Sequence, residues 1–154
     1  DVDGNLNNWW KDSDIEKFNE YIKYTENHFN DLDVLPGLKC NGSLTLSENL
    51  ADYGGVKIAY YALKKYIKET NYIDEPEKYN GYTWQQRFFI AYANTEAGTN
   101  TEENIRQSNL NNEHAAMHLR INGTLSMFTP WYEAFNIKET DKMYVKPDMR
   151  AKIW

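Results

Sequence analysis

A single cysteine, Cys40, stands among 154 residues, which excludes an internal disulfide framework. No apolar run approaches the ~20 residues that a membrane-spanning helix needs. The first residues carry no signal-peptide pattern. Positive charge is not in surplus: 17 Lys and Arg face 23 Asp and Glu, for a net charge of −6. Without a basic stripe, nucleic acid is not an expected partner. Repeats, low-complexity tracts and linkers are also missing, so residues 1–154 read as one unit. Aromatics, by contrast, are plentiful, with 12 Tyr and 5 Trp in a chain that is 41% hydrophobic. That composition excludes disorder, and a chain of ~150 residues buries roughly 70% of its unfolded surface.

Periodicity and capping residues predict a mainly helical architecture. A first helix is expected from Ser13 to Phe29, with Ser13 and Glu16 spaced as a capping box. Pro36-Gly37 and Asn41-Gly42 mark residues 30–42 as a loop with room for a short hairpin. The clearest helix follows a cap at Thr45 or Ser47. Leu50, Val56, Ala59, Tyr60, Leu63, Tyr66 and Ile67 recur along it at helical spacing, and it should end near Thr70. Gly54-Gly55 lies inside this helix at about 1 kcal/mol per glycine relative to alanine, which predicts a close backbone approach there. A polar loop with Pro76 should lead to a third helix capped by Thr83 and running toward Thr95. Thr101-Glu102-Glu103 opens a fourth, and Thr129-Pro130 opens a last one that closes at Phe135. Residues 111–120 are polar and fit no period. The tail from Asp141 reads as loop with a short extended stretch.

The chemistry concentrates in Leu44-Thr45-Leu46-Ser47-Glu48-Asn49-Leu50-Ala51-Asp52-Tyr53-Gly54-Gly55. Glu48 and Asp52, four apart, share a helix face, where like charges destabilise by roughly 0.2–0.5 kcal/mol. A cation between or beside them would remove the penalty. Metal binding is the sharpest reading of such a pair, and surface salt bridging to lysine is the plainer one.

Several segments taken together resemble the C-terminal part of the neprilysin-like zinc peptidases. They are Asp3-Gly4-Asn5-Leu6 with Trp9-Trp10, Leu35-Pro36-Gly37-Leu38, and Asn41-Gly42 through Gly55. Arg87-Phe88-Phe89-Ile90-Ala91-Tyr92-Ala93, His114, Arg120-Ile121-Asn122-Gly123-Thr124-Leu125, Asp141-Lys142-Met143-Tyr144 and Ile153-Trp154 follow in the family's order. The resemblance implies the helical C-terminal portion of a thermolysin-like (gluzincin) catalytic domain. It also implies that Glu48 is a zinc ligand. Asp52 would orient a liganding histidine by accepting its hydrogen bond. His114 would stabilise the developing oxyanion. Arg120 would grip the substrate backbone with its fork of donors; its plainer reading is a buried ion pair, with Asp52 as one available partner. The family's Asp-Pro-His-Ser-Pro context is replaced around His114 by Asn-Asn-Glu-His-Ala-Ala. His28 and His118 match no functional position, and the aromatics read as core.

One departure governs the expected activity. The H-E-x-x-H helix, which supplies two zinc-binding histidines and the catalytic glutamate in this family, is not in the sequence. A catalytic zinc site takes three protein ligands and one open position, and this chain offers one of the three. The expectation is therefore a fragment of a zinc endo- or oligopeptidase that is inactive in isolation, binds zinc weakly or not at all, and requires the rest of the polypeptide as its partner. The opening at Asp1 rather than Met agrees with a cloned or clipped piece. Peptides are the expected substrates. The chain reads as bacterial, either cytoplasmic or secreted to the cell surface or beyond, without disulfides. The competing reading is a non-catalytic truncated relative that binds peptides or a partner protein.

Overall fold

The computed structural model describes residues 1–70, 72 and 78–151. Its elements are α1 (Asp12–Asp31), β1 (Asp33–Leu35), β2 (Leu38–Lys39), α2 (Leu46–Thr70), α3 (Trp84–Thr95), α4 (Glu102–Asn111), α5 (Met117–Ser126) and α6 (Thr129–Phe135), with a 3-10 turn at Pro147–Met149. The mainly helical expectation holds. Pro76, Ile153 and Trp154 lie outside the described residues.

Local chemistry sets most boundaries. Thr83 and Gln86 form a reciprocal capping box that starts α3. Thr101 accepts the Asn104 amide to start α4, and Pro130 sits in the first turn of α6. That helix stops at Asn136, whose left-handed φ of 54° ends the ladder. Gly37, at φ 76°, turns the β1–β2 hairpin, in which Asp33 pairs with Lys39.

Three expectations fail, and a fourth, the close approach at Gly54-Gly55, fails at Gly55. Ser13 does not cap α1, because the helix already begins at Asp12 with Lys11 before it and no side-chain cap. Residues 117–126, whose first four were read as aperiodic, form α5. Among the described residues of the tail no strand forms, and Pro147–Met149 make a 3-10 turn. Of the Gly54-Gly55 pair, Gly54 is buried, whereas Gly55 is exposed and a Cβ there would meet nothing within 4 Å. The buried stripe of α2 runs through Asn49, Tyr53, Val56 and Tyr60, while Ala59 and Tyr66 face outward.

Helices α1, α2 and α5 pack mutually, and α3 and α5 both pack against α6. Gly123 lets α5 lie against α1: a Cβ there would sit 2.8 Å from the Phe29 ring. The second half of the core is aromatic. Tyr60 stacks on Trp84 and on Phe89 at 5.5 Å, and Phe88 and Phe128 present their edges to it. The tail is pinned by Arg150, whose guanidinium lies 3.6 Å over the Tyr132 ring and donates to Val145 O and Thr129 Oγ1. The packing leaves the first turns of α2 facing α5 and the loop before it.

Candidate active site

Glu48 and Asp52 project from α2 on the flank of its buried stripe, and each meets a different nitrogen-bearing side chain. Glu48 Oε2 lies 3.1 Å from His114 Nε2, with the two side chains 33% and 48% exposed. His114 belongs to the loop between α4 and α5, and Asn112 holds it there. The Asn112 Oδ1 accepts the His114 backbone N–H at 2.9 Å and lies 3.3 Å from its Nδ1. An acceptor therefore faces each ring nitrogen.

Asp52 sits one turn further on. Arg120, from α5, donates from Nε to Oδ2 and from Nη2 to Oδ1, both at 2.8 Å. This bidentate fork is the strong form of a carboxylate–guanidinium pair. Arg120 Nη1 reaches Glu96 Oε1 at 3.1 Å, so one guanidinium bridges two carboxylates. The three side chains are only 15–23% exposed. Donating to the Asp52 carboxylate pushes the Arg120 pKa further up, so its charge is permanent. Tyr92 donates to the Arg120 carbonyl at 3.2 Å. Burial, followed by the charge of Asp52, raises its phenol to about 12, so Tyr92 acts as a neutral donor.

Beside these pairs opens a cleft of about 430 Å³ between the end of α3, α4 and the start of α5, with Glu96, His114, His118 and Arg120 on its walls. His118 also lies 3.3 Å from the Asp33 carbonyl. His28 stands apart, close to Gly123 O and Ser126 Oγ. Cys40 is buried 3.8 Å from Thr45 Oγ1, and burial pushes its thiol pKa up.

The four residues singled out in the sequence thus come together as two pairs, Glu48–His114 and Asp52–Arg120. Asp52 has both oxygens on Arg120, although each keeps a lone pair for a further donor. Among the described residues, no three His, Cys, Asp or Glu side chains cluster as a metal-binding group. The donor set fits one corner of a zinc site: a partly exposed anionic carboxylate, Glu48, whose present partner holds it by a single contact. Glu96 and Asn112 escaped the sequence reading. Glu96 is a lone charge one helical turn after Tyr92 in an otherwise apolar and polar-neutral run, a signal visible only once α5 is recognised as its neighbour.

Comparison with known proteins agrees over the whole chain. The model of Peptidase family M13 matches residues 1–151. Neprilysin-11 of Caenorhabditis elegans is 32% identical over 100% of this chain and 18% of its own length. The neutral endopeptidase of Lactococcus lactis subsp. lactis is 35% identical over 100% of this chain and 22% of its own. The solved zinc metalloprotease Zmp1 of Mycobacterium tuberculosis superposes over 100% of this chain and 24% of its own, with a TM-score of 0.85 at 28% identity. PepO of Lactobacillus rhamnosis superposes over 98% of this chain, with a TM-score of 0.78 at 32% identity. The chain spans about a fifth of the length of the curated relatives. With the family model matching residues 1–151 and the helical fold superposing on solved relatives, the chain belongs to peptidase family M13.

Proposed function

We propose that this chain is the C-terminal part of a zinc-dependent endo- or oligopeptidase. In this reading Glu48 is a metal ligand, and two further ligands and the general base come from the rest of the polypeptide. The chain alone is then inactive. The observation that carries the reading is the pairing along α2: two carboxylates one turn apart, the first held loosely by an imidazole and the second tightly by a guanidinium.

Each residue has a task in that frame. Zinc, when bound, supplies Lewis-acid polarisation and a lowered pKa for its water. Glu48 presents a carboxylate oxygen from a rigid helix, and exchanging one half-exposed histidine contact for a metal is a small rearrangement. Asp52 fixes Arg120 in position and keeps lone pairs to orient a histidine from the remaining chain. Arg120 hydrogen-bonds Asp52 through Nε and Nη2 and pairs its Nη1 with Glu96, so N–H groups on Nη1 and Nη2 remain for a peptide carbonyl. His114, with Nδ1 held by Asn112, donates from Nε2 to charge that develops on the attacked carbonyl. Peptides are the substrates proposed.

The test uses the complete polypeptide. Wild type should carry one zinc per chain and cleave a quenched fluorescent peptide, and chelation should abolish cleavage. Glu48→Gln should lower both zinc content and turnover. Unchanged turnover in either test overturns the proposal. A complete polypeptide that holds no zinc and still binds peptides would assign the chain to a non-catalytic binding module.

A further inference from the structure

The bridge Asp52–Arg120–Glu96 has an unbalanced charge. Asp52 neutralises Arg120 through two 2.8 Å hydrogen bonds. Glu96 adds a second carboxylate through Oε1 alone, and its Oε2 has no hydrogen-bond partner among the described residues. One guanidinium against two carboxylates leaves the group at −1. Glu96 is 20% exposed and lines the cleft, so any substrate group that enters strips water from it. A partly desolvated carboxylate with an idle oxygen is unfavourable unless a donor, best a cationic one, arrives with the occupant. Glu96 is also the C-cap of α3, where the helix dipole adds partial negative charge.

The rest of the cleft suits a long side chain with a charged tip. Its volume of about 430 Å³ lies within the roughly 300–1,000 Å³ of pockets that enclose ligands. Val34, Ala93, Ala97, Ile105, Met117 and Ile121 supply apolar wall for a methylene stem. An acidic side chain would instead bring a third carboxylate beside an already neutralised Arg120. We propose that this cleft is a subsite for a cationic side chain, lysine or arginine, of the peptide substrate, and that Glu96 is the residue that selects it. The proposal rests on the peptidase reading above for its substrate class, while the charge argument stands on Glu96 and its neighbours alone.

Two measurements on the complete polypeptide separate these layers. The first is kcat/KM for peptides identical except for Lys, norleucine or Glu, placed in turn at each position flanking the cleaved bond. At one position wild type should prefer Lys over norleucine by about tenfold, the size of one modest charge contact. Glu96→Gln should remove that preference, Glu96→Asp should restore part of it, and Glu96→Lys should turn it toward the Glu peptide. The second is the affinity of the Lys and norleucine peptides by fluorescence anisotropy, which needs no turnover. If wild type cleaves nothing but binds the Lys peptide better in a Glu96-dependent way, the peptidase reading fails and the subsite stands. If the Lys to norleucine ratio is the same in wild type and Glu96→Gln by both measurements, or both peptides weaken equally, the subsite proposal is overturned.

Discussion

At Asp52 both carboxylate oxygens meet one guanidinium at 2.8 Å, and the side chains are 15% and 23% exposed. One turn earlier, at Glu48, a single oxygen meets a single imidazole nitrogen at 3.1 Å, and the side chains are 33% and 48% exposed. The same residue class on the same helix face therefore plays two physical roles. Separating a desolvated bidentate pair leaves an uncompensated charge on each side, so the Asp52 contact locks α2 to α5. A half-exposed pair with one contact contributes little and exchanges partners readily. The proposed metal site would draw on both kinds of contact, one to hold the frame and one to give way.

Removing the lock is the most damaging way to break this contrast. Asp52→Ala leaves Arg120 buried with Glu96 as its remaining partner, and should destabilise the chain by about 3 kcal/mol. Urea denaturation of the variant measures this. The double variant with Arg120→Ala should lose less than the sum of the two single changes. Additive losses would show that the fork carries no coupling and that the two carboxylates are alike.

The lock also depends on how α5 is seated. Gly123→Ala places a methyl 2.8 Å from Phe29 and 3.0 Å from Leu32, so it should cost about 1–3 kcal/mol through overpacking. Because α5 must shift to relieve the clash, Arg120 shifts with it, and zinc loading of the complete polypeptide should fall although neither residue touches the metal site. Full loading would mean that the frame tolerates displacement.

His28 sharpens the contrast from a third position. Burial holds its pKa below the usual 6.5, against smaller opposing effects from the Gly123 hydrogen bond and the charge of Asp31. The unfolded chain thus takes up the proton first as pH falls. The stability contributed by neutral His28 is complete above 6.5 and is lost as pH drops through 6.5 toward the folded value. Denaturation midpoints should be lower at pH 5 than at pH 7.5. His28→Gln should flatten part of that difference, and an unchanged slope would remove His28 from the account.

Much of this frame was legible because caps and apolar spacing are local signals. Thr83, Thr101 and Pro130 announce α3, α4 and α6 within a residue or two. Helix α5 was not legible. Its cap position, Ala116, makes no side-chain cap bond, and His118, Arg120, Asn122 and Gly123 interrupt any apolar stripe. Those interruptions are what the site uses: Arg120 reaches Asp52, and Gly123 admits Phe29. Glu48 and Asp52 were readable as a like-charge pair that asks for a cation, but two separate side chains, His114 and Arg120, answer it. Glu96 and Asn112 gain their meaning from partners 24 and two residues away, through the approach of α3 to α5 and a loop geometry that no pattern encodes.

The smallest expected effect on stability belongs to the residue on which the proposed function most depends. Glu48→Gln keeps shape and an acceptor oxygen and removes one half-exposed charge, so denaturation should move by no more than about 0.5 kcal/mol. The change also relieves like-charge repulsion with Asp52, which pushes the balance toward zero or slight stabilisation. In the complete polypeptide the same substitution should abolish stoichiometric zinc, because a neutral amide is a far poorer ligand than a carboxylate. A variant that folds as well as wild type and holds no metal separates the two carboxylates cleanly. If Glu48→Gln instead destabilises as much as Asp52→Ala, both side chains are structural pillars and the division of labour along α2 does not exist.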